Sequence, residues 1–453
     1  MHPAIKAIRT AIQGTPFQDD VYLVGGAVRD ALLGIPVKND LDLVTRGSAP
    51  ALAQLLWEKR IAEIAPVTYP RFGTAMIQVQ GANIELVTAR KESYAETSRK
   101  PNVEPATYEE DAQRRDFTVN ALFQNIDSED VWDPLGSGLS DLKYRTLRTP
   151  LDPELTFHDD PLRMLRAIRF RWQLDFELAP GLREAIQSSR QRLRIISFER
   201  IRDELVKMLA RPSGPNALGD LMDTGLLEIF APELVAMKRV DQGSYHHLDV
   251  WEHTLLAMRN LWKSVEQPSQ NLVLGVLFHD IGKPPTRAID PEGKIRFFGH
   301  EAIGAEMTRE VLRRLKFAER DVEPVARLVK NHMRLGSSPT FTPSAARRLL
   351  RDLGDQVDEL LELVSADASA LKPGVRQLDL TPIRSQLAQI QRATPRSALE
   401  SPLSGEEIME IKQIAPGLEV GKWKRFLTEK VLDGELAPGD KEAAKQFLET
   451  SKF

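Results

Sequence analysis

Two aspartates two residues apart, Asp40 and Asp42, follow the glycine pair Gly25-Gly26 at close range, and these four residues are the part of the chain best suited to chemistry. Val21 to Val24 reads as a short buried strand. The glycines then turn the chain into a helix from Ala27 to Leu33, which Gly34 and Pro36 stop. The next strand, Asp40 to Thr45, places both carboxylates on one face, because side chains at i and i+2 of a strand point the same way. Two like charges side by side are unfavourable unless a cation lies between them, and a divalent metal is the usual one. Upstream, glycines let backbone N–H groups approach an anion at a helix N-terminus. A phosphate cradle beside a metal-holding carboxylate pair is what nucleotidyl transfer requires.

Two further clusters carry suitable side chains. In Arg114-Arg115-Asp116-Phe117-Thr118-Val119-Asn120-Ala121, the guanidinium forks match phosphate oxygens and Asp116 is an acceptor for a ribose hydroxyl pair. A helix start capped by Asp116 explains the same residues. In Asp159-Asp160-Pro161-Leu162-Arg163, Pro161 fits the first turn of a helix and makes Asp160 its N-cap, with Arg163 one turn on. That pair presents an acceptor and a forked donor to a base edge, or else a cap and an intrahelical ion pair. Arg29 has the same duality, between a triphosphate and an ion pair with Asp30.

The elements that position these residues are legible as a β-containing head followed by a long helical body. Thr74 to Gln80 and Asn83 to Ala89 alternate as two strands joined at Gly81-Ala82, which gives a small sheet of four or five strands with helices on one side. From Pro153 the pattern turns helical: Leu162, Leu165, Ile168 and Phe170 open one amphipathic helix, and Ile201, Leu205, Met208 and Leu209 lie on another. Linkers are expected at Arg211 to Pro215, around Gln267 to Ser269, and at Ser337-Ser338-Pro339. The fold class is an α/β head with a small mixed sheet, followed by an all-α region. Its expected divisions are a head at 1–150, a neck at 151–235, a metal-binding helical domain at 236–375 and a C-terminal tail at 376–453.

A chain of 453 residues exceeds one compact core. Hydrophobic content of 42% and charged content of 28% are ordinary for a globular protein, and no stretch approaches the roughly 18 apolar residues of a membrane span. The sequence contains no cysteine, which excludes disulfides and thiolate metal sites, and Met1-His2-Pro3-Ala4-Ile5-Lys6 lacks the layout of a signal peptide. A cytoplasmic location is expected. The net charge of −4 conceals local basic patches, of which Arg183 to Arg202 (with Arg190, Arg192 and Arg194) and Lys422-Trp423-Lys424-Arg425-Phe426 are candidates for nucleic acid.

Six motifs in order resemble the class II tRNA nucleotidyltransferases, the family of CCA-adding enzymes and bacterial poly(A) polymerases. They are Gly25-Gly26-Ala27-Val28-Arg29-Asp30, Asp40-Leu41-Asp42, Arg114 to Ala121, Asp133-Pro134-Leu135-Gly136 with Asp141-Leu142, Asp160 to Phe170, and Glu199-Arg200-Ile201. The resemblance covers about residues 20 to 230. It implies that Asp40 and Asp42 bind magnesium, that Gly25, Gly26 and Arg29 contact phosphates, and that Arg115 and Asp116 hold the ribose. It further implies that Asp160 and Arg163 pair with the edge of incoming CTP or ATP, with Arg166 and Arg169 on the same nucleotide-binding helix. Asp159 stands where the family usually has Glu, and Glu199-Arg200 matches a motif that braces the template helix. The stretch from Arg90 to Asp111 reads as a loop longer than the usual limit of about 12–15 residues, and in the family it is the flexible loop linked to switching from CTP to ATP. Its length argues against an enzyme adding only the two cytidines. The implied partners are the acceptor arm and 3′ end of tRNA.

Of the 8 histidines, six fall between His246 and His332. His253 lies in a helical context, and His279-Asp280 follows an apolar run from Leu272 to Phe278. Neutral imidazoles and carboxylates on packed helices suit a first-row transition metal such as Mn, Fe, Ni or Zn. This stretch resembles the HD superfamily of metal-dependent phosphohydrolases. His253, His279, Asp280 and Asp367 match its core ligands, with Asp355 or Asp358 as the alternative to Asp367, and His300 and His332 match the additional ligands of two-metal members. The resemblance implies hydrolysis of phosphate esters. The combined reading is a CCA-adding tRNA nucleotidyltransferase fused to an HD domain. The alternatives are an A-adding enzyme, a poly(A) polymerase, or a non-catalytic RNA-binding protein.

Overall fold

The structure is a computed structural model that describes residues 1–93, 102–243, 246–335, 341–375 and 379–451. The chain divides into two compact units, Met1–Phe230 and Ala231–Phe453.

The first unit is built on a mixed sheet. Its strands are β1 (Val21–Val24), β2 (Asp40–Thr45), β3 (Val67–Tyr69), β4 (Thr74–Val79) and β5 (Ala82–Thr88), followed after an insertion by β8 (Phe123–Asn125) and β9 (Val131–Trp132). The order across the sheet is β3-β4-β5-β2-β1-β8-β9. Only β2 and β5 run parallel, and Asp42 stands in register with Glu85. Alternation sets the two faces: Leu41, Ile84, Ala75 and Ile77 are buried, while Asp40, Asp42, Glu85 and Met76 are exposed on the other side. The β4–β5 hairpin turns at Gln80 and Gly81, both with positive φ (49° and 72°), as tight two-residue hairpins require.

Seven strands replace the expected four or five. The additional ones, β3, β8 and β9, have three, three and two residues, too short to show a period in sequence. The insertion expected as a plain loop instead has paired arms, β6 (Arg90–Ser93) and β7 (Asn102–Pro105), and its tip at 94–101 lies outside the described residues.

Helix α1 (Gly26–Leu32) follows β1, and α2 (Ala49–Glu58) packs on β4 and β5. Helix α3 (Tyr108–Gln113) opens on a capping box between Thr107 and Glu110. Helix α4 (Leu162–Leu174) buries Leu162, Leu165, Ile168 and Phe170, and α5 (Phe198–Leu209) buries Ile201, Leu205, Met208 and Leu209. Helix α4 begins one residue later than expected. Asp160 is extended, and its carboxylate accepts the Leu162 N–H at 3.1 Å, so it still satisfies a first-turn donor.

The second unit is helical, with α6 (Val250–Ser264), α7 (Gln270–Phe278), α8 (His300–Arg314), α9 (Glu319–Asn331), α10 (Val357–Ser369) and α11 (Leu418–Asp433) among its elements. Every residue from Leu272 to Phe278 is buried, so α7 is a central helix. On α11 the Trp423 ring is turned into the core under the Lys412 ammonium at 4.1 Å, while Lys422, Lys424 and Arg425 remain exposed. The basic patch expected there therefore presents its cations, and not the Trp423 ring, to solvent. The linker at Ser337-Ser338-Pro339 lies outside the described residues, and no helix among those described is long and apolar enough to cross a membrane.

Candidate active sites

One cavity in the first unit, of about 460 Å³, is lined by Gly25, Gly26, Arg29, Asp40, Asp42, Arg115, Asp116, Asp160, Arg163, Arg166 and Arg169, all of them candidates from the sequence. Including Lys38, Arg114 and Asp30, seven lining side chains are cationic and five anionic, an excess of positive charge suited to a polyphosphate carrying magnesium.

Its floor is the carboxylate face of β2. Gly25 has φ 73°, and a Cβ there would lie 3.1 Å from Asp42 Oδ2, so glycine is needed both for the turn and for the close approach to the carboxylate. Asp42 is open to solvent yet stands at the floor of a cleft. That enclosure, followed by the charges of Glu85 and Asp40, raises its carboxyl from 3.8 to about 6 against the opposing pull of Arg115 and Arg166. The uncompensated negative charge is what a divalent cation would relieve. Sequence reasoning missed Glu85. Only the parallel pairing of β2 with β5 makes it the neighbour of Asp42, and no local motif marks it.

The wall is α4. Its Arg166 donates to Asp116 Oδ2 at 2.9 Å, and Asp116 also accepts from the Phe117 N–H (2.8 Å) and Asn120 Nδ2 (3.0 Å). Burial works to raise the Asp116 carboxyl, but Arg166 and Asn120 outweigh it and hold it at about 2. Arg169 donates to Glu204 Oε2 at 2.6 Å and lies 4.0 Å over the Phe170 ring. Arg115 is held by Asp111 at 2.9 Å. Asp160 Oδ2 accepts from Arg200 Nη2 at 3.0 Å, so the Glu199-Arg200 motif reaches Asp160 itself. Arg163 is buried and donates to the carbonyls of Thr156 and Arg114. Arg29 is paired with Asp30 (2.6 Å) and Asn120 (2.6 Å), the ion-pair alternative foreseen for it. Within the basic run from Arg183 to Arg202, several guanidinium groups are internally engaged: Arg183 with Asp220 (2.9 Å), Arg192 with the His158 carbonyl (2.8 Å) and Arg200 with Asp160.

The second unit gathers His253 on α6, His279-Asp280 after α7, His300 at the start of α8, His332 after α9 and Asp367 on α10. They form two trios, His253–His279–Asp367 and Asp280–His300–His332. His253 Nε2 is 2.9 Å from Asp367 Oδ1, and His300 Nε2 is 3.3 Å from His332 Nε2. His279 Nε2 and Asp280 Oδ2, 3.1 Å apart, join the trios. Each imidazole is fixed through Nδ1 by a backbone carbonyl: Ala370 (3.3 Å), Val276 (2.8 Å), Phe297 (2.7 Å) and Val329 (2.7 Å) for His253, His279, His300 and His332. A carbonyl only accepts, so Nδ1 carries the proton and Nε2 is left as the metal donor. Two neutral or mixed imidazole–carboxylate trios with this support fit a pair of divalent metal ions. Without a metal, burial lowers the His279 imidazole, but the Asp280 carboxylate and the hydrogen bonds to Asp280 and Asp367 raise it to about 10, so a metal ion bound at Nε2 would displace a proton there. Burial and the neighbouring His279 charge lower His332 to about 4. Sequence reasoning did not single out His246, whose ring lies edge-on to His253 at 4.8 Å.

Family models match three stretches in order: the poly A polymerase head domain at 21–148, the probable RNA and SrmB-binding site of polymerase A at 175–237, and the HD domain at 243–371. An A-adding tRNA nucleotidyltransferase of Deinococcus radiodurans is 36% identical over 356 residues, covering 76% of this chain and 80% of that protein. The chain belongs to the tRNA nucleotidyltransferase family. Within that family, a CC-adding tRNA nucleotidyltransferase of Thermus thermophilus is 36% identical over 354 residues, covering 75% of this chain and 76% of its own length. A CCA-adding enzyme of Levilactobacillus brevis is 36% identical over 241 residues, 51% of this chain and 58% of that protein. The fold matches that of the Bacillus stearothermophilus CCA-adding enzyme in complex with CTP, with a TM-score of 0.69, 24% identity and coverage of 99% and 98% of the two chains. Both domain types imply dependence on divalent metal ions.

Proposed function

We propose that this chain builds or repairs the 3′ CCA end of tRNA from CTP and ATP, without a nucleic-acid template, and that its second unit hydrolyses a phosphate ester. The observation that carries the first part is the convergence in one cavity of Asp40 and Asp42, which Glu85 flanks on the paired strand, with an arginine-rich wall. Magnesium held by Asp40 and Asp42 would neutralise the triphosphate and activate the 3′ hydroxyl of the tRNA. Gly25 and Gly26 leave room for the phosphates, and Arg115 supplies a fork for them. Asp116, kept ionised by Arg166, accepts from the ribose hydroxyls and so favours ribonucleotides. Asp160 and Arg163, fixed by Arg200 and by carbonyls, offer an acceptor and a donor to the base edge. In the second unit, Mn, Fe, Ni or Zn held by the two trios would supply an activated water. Head 1–150, neck 151–235, metal domain 236–375 and tail 376–453 then divide the labour, with the neck and tail holding the acceptor arm through phosphate contacts.

A second reading is an A-adding enzyme, favoured by the relative so named, of which this chain covers 80%. Addition to tRNAs ending at the discriminator base, at C and at CC separates the two. Growth of the first to a complete CCA end supports the CCA-adding reading, and extension of only the CC-ended tRNA with ATP replaces it with the A-adding one.

A further inference from the structure

We propose that Met76, Val67 and Tyr69 form the platform on which the 3′-terminal base of the RNA primer lies during nucleotide addition. The proposal rests on the nucleotidyl-transfer reading of the carboxylate face and extends it to the side from which the RNA arrives.

Strand register places these residues. Asp42 pairs with Glu85, Glu85 with Met76 and Met76 with Val67, so one row of side chains runs from the carboxylates to the edge of the sheet. Cross-strand partners share a face. The row beside it runs from Val44 through Val87 and Thr74 to Tyr69, and the row on the other flank runs from Asp40 through Asn83 to Gln78. At strand spacings of nearly 5 Å, Met76 lies roughly 10 Å from Asp42 and Val67 roughly 14 Å away. The opposite face of β4 is closed, with Ala75 at 0% and Ile77 at 2% exposure. On the carboxylate side Met76 (44%), Val67 (49%) and Tyr69 (47%) are open, while Thr74 in the Tyr69 row is covered by Arg90, which donates to its hydroxyl at 3.1 Å. An apolar strip left bare beside a charged site marks a surface that meets a partner.

The reaction geometry identifies the partner. Attacking and leaving oxygens lie roughly in line across the transferred phosphorus. The cavity with Gly25, Gly26, Arg115 and Asp116 lies on the β1 side of Asp42, so the pyrophosphate leaves on that side. The attacking hydroxyl must therefore come from the β5–β4 side. Its own base, one sugar away, falls over Met76 and Tyr69. Unpaired bases are held by stacking on aromatic and apolar side chains, which is tolerant of base identity because every base has a π-face. Such tolerance suits a primer end that changes after each addition. On the polar flank, Gln78 Nε2 donates to Asn83 Oδ1 at 3.0 Å, which leaves the Gln78 side-chain Oε1 to accept from a ribose hydroxyl.

The test uses the full chain and a tRNA carrying 2-aminopurine as its 3′-terminal base. Binding of wild-type protein without nucleotide is expected to change the 2-aminopurine fluorescence. Tyr69→Ala and Met76→Ser should abolish that change and raise KM for tRNA about tenfold, with KM for ATP unmoved, while Tyr69→Phe restores both. Unchanged fluorescence and tRNA KM in the first two variants, with wild-type protein still extending the RNA, would overturn the platform. So would a dimer seen by sedimentation that Met76→Ser dissociates, because the strip would then belong to a second copy of the chain. Wild-type protein that extends no RNA would instead sink the underlying nucleotidyl-transfer reading.

Discussion

Replacing Asp42 with asparagine should make the metal-free protein more stable. In the folded chain its carboxyl is raised from 3.8 to about 6, first by enclosure at the cleft floor and then by Glu85 and Asp40. A raised carboxyl destabilises the folded state. Between about pH 4 and pH 6 the native protein holds a proton that the unfolded chain has released, so stability falls as pH rises through that window, and the loss is complete above it. A shift of two units corresponds to about 3 kcal/mol. Because the side chain is open to water on one side, screening reduces the expected gain for Asp42→Asn to about 1 kcal/mol.

For a unit of this size, about 1 kcal/mol is a rise in Tm of roughly 2–4 °C. The assay is thermal unfolding of wild type and variant in EDTA at pH 4.5 and pH 8, following the transition that CTP and magnesium displace. The gain should be present at pH 8, shrink at pH 4.5, and disappear at pH 8 under saturating magnesium, because the cation stabilises only the wild-type carboxylate pair. The same variant should add no nucleotide. An Asp42→Asn protein no more stable than wild type at pH 8, or equally stabilised at both pH values, would refute the crowding of carboxylates on this face.

Three further outcomes follow from the geometry. Gly25→Ala places a side chain at φ 73° and 3.1 Å from Asp42 Oδ2, so nucleotide addition should fall at least about tenfold, with strain of about 1–2 kcal/mol visible in urea unfolding. Asp116→Asn should cost roughly 2 kcal/mol at pH 7, because the carboxyl, buried but overridden by Arg166, is held at about 2; the difference from wild type should shrink as pH falls from 3.8 towards that value and vanish only below it in denaturation. Gly282→Ala would put a Cβ 2.1 Å from the His300 carbonyl and 2.7 Å from the Gly304 nitrogen, both backbone atoms. The variant should therefore lose bound divalent metal from the second unit, measured by elemental analysis against wild type.

Much of both sites is legible in the sequence because the chemistry is local. Asp40 and Asp42 share a face by strand period alone, and His279-Asp280 after an apolar run marks its own place. What escaped is non-local. Glu85 becomes a third carboxylate only through the parallel pairing of β2 and β5, and although the resemblance implied bracing by Glu199-Arg200, that Arg200 reaches Asp160, forty residues away in the chain, needed the fold. His246 carries no motif, and its place beside His253 depends on how the chain enters α6. The short strands β3, β8 and β9 are made by pairing, which a run of two or three residues cannot announce.

The central claim is tested most directly by supplying the protein with a tRNA ending at the discriminator base, magnesium, and labelled CTP and ATP together. The account predicts growth by three nucleotides to CCA, then arrest, with no product from Asp42→Ala. No incorporation by the wild-type protein into this tRNA, or into ones ending at C or CC, would contradict it.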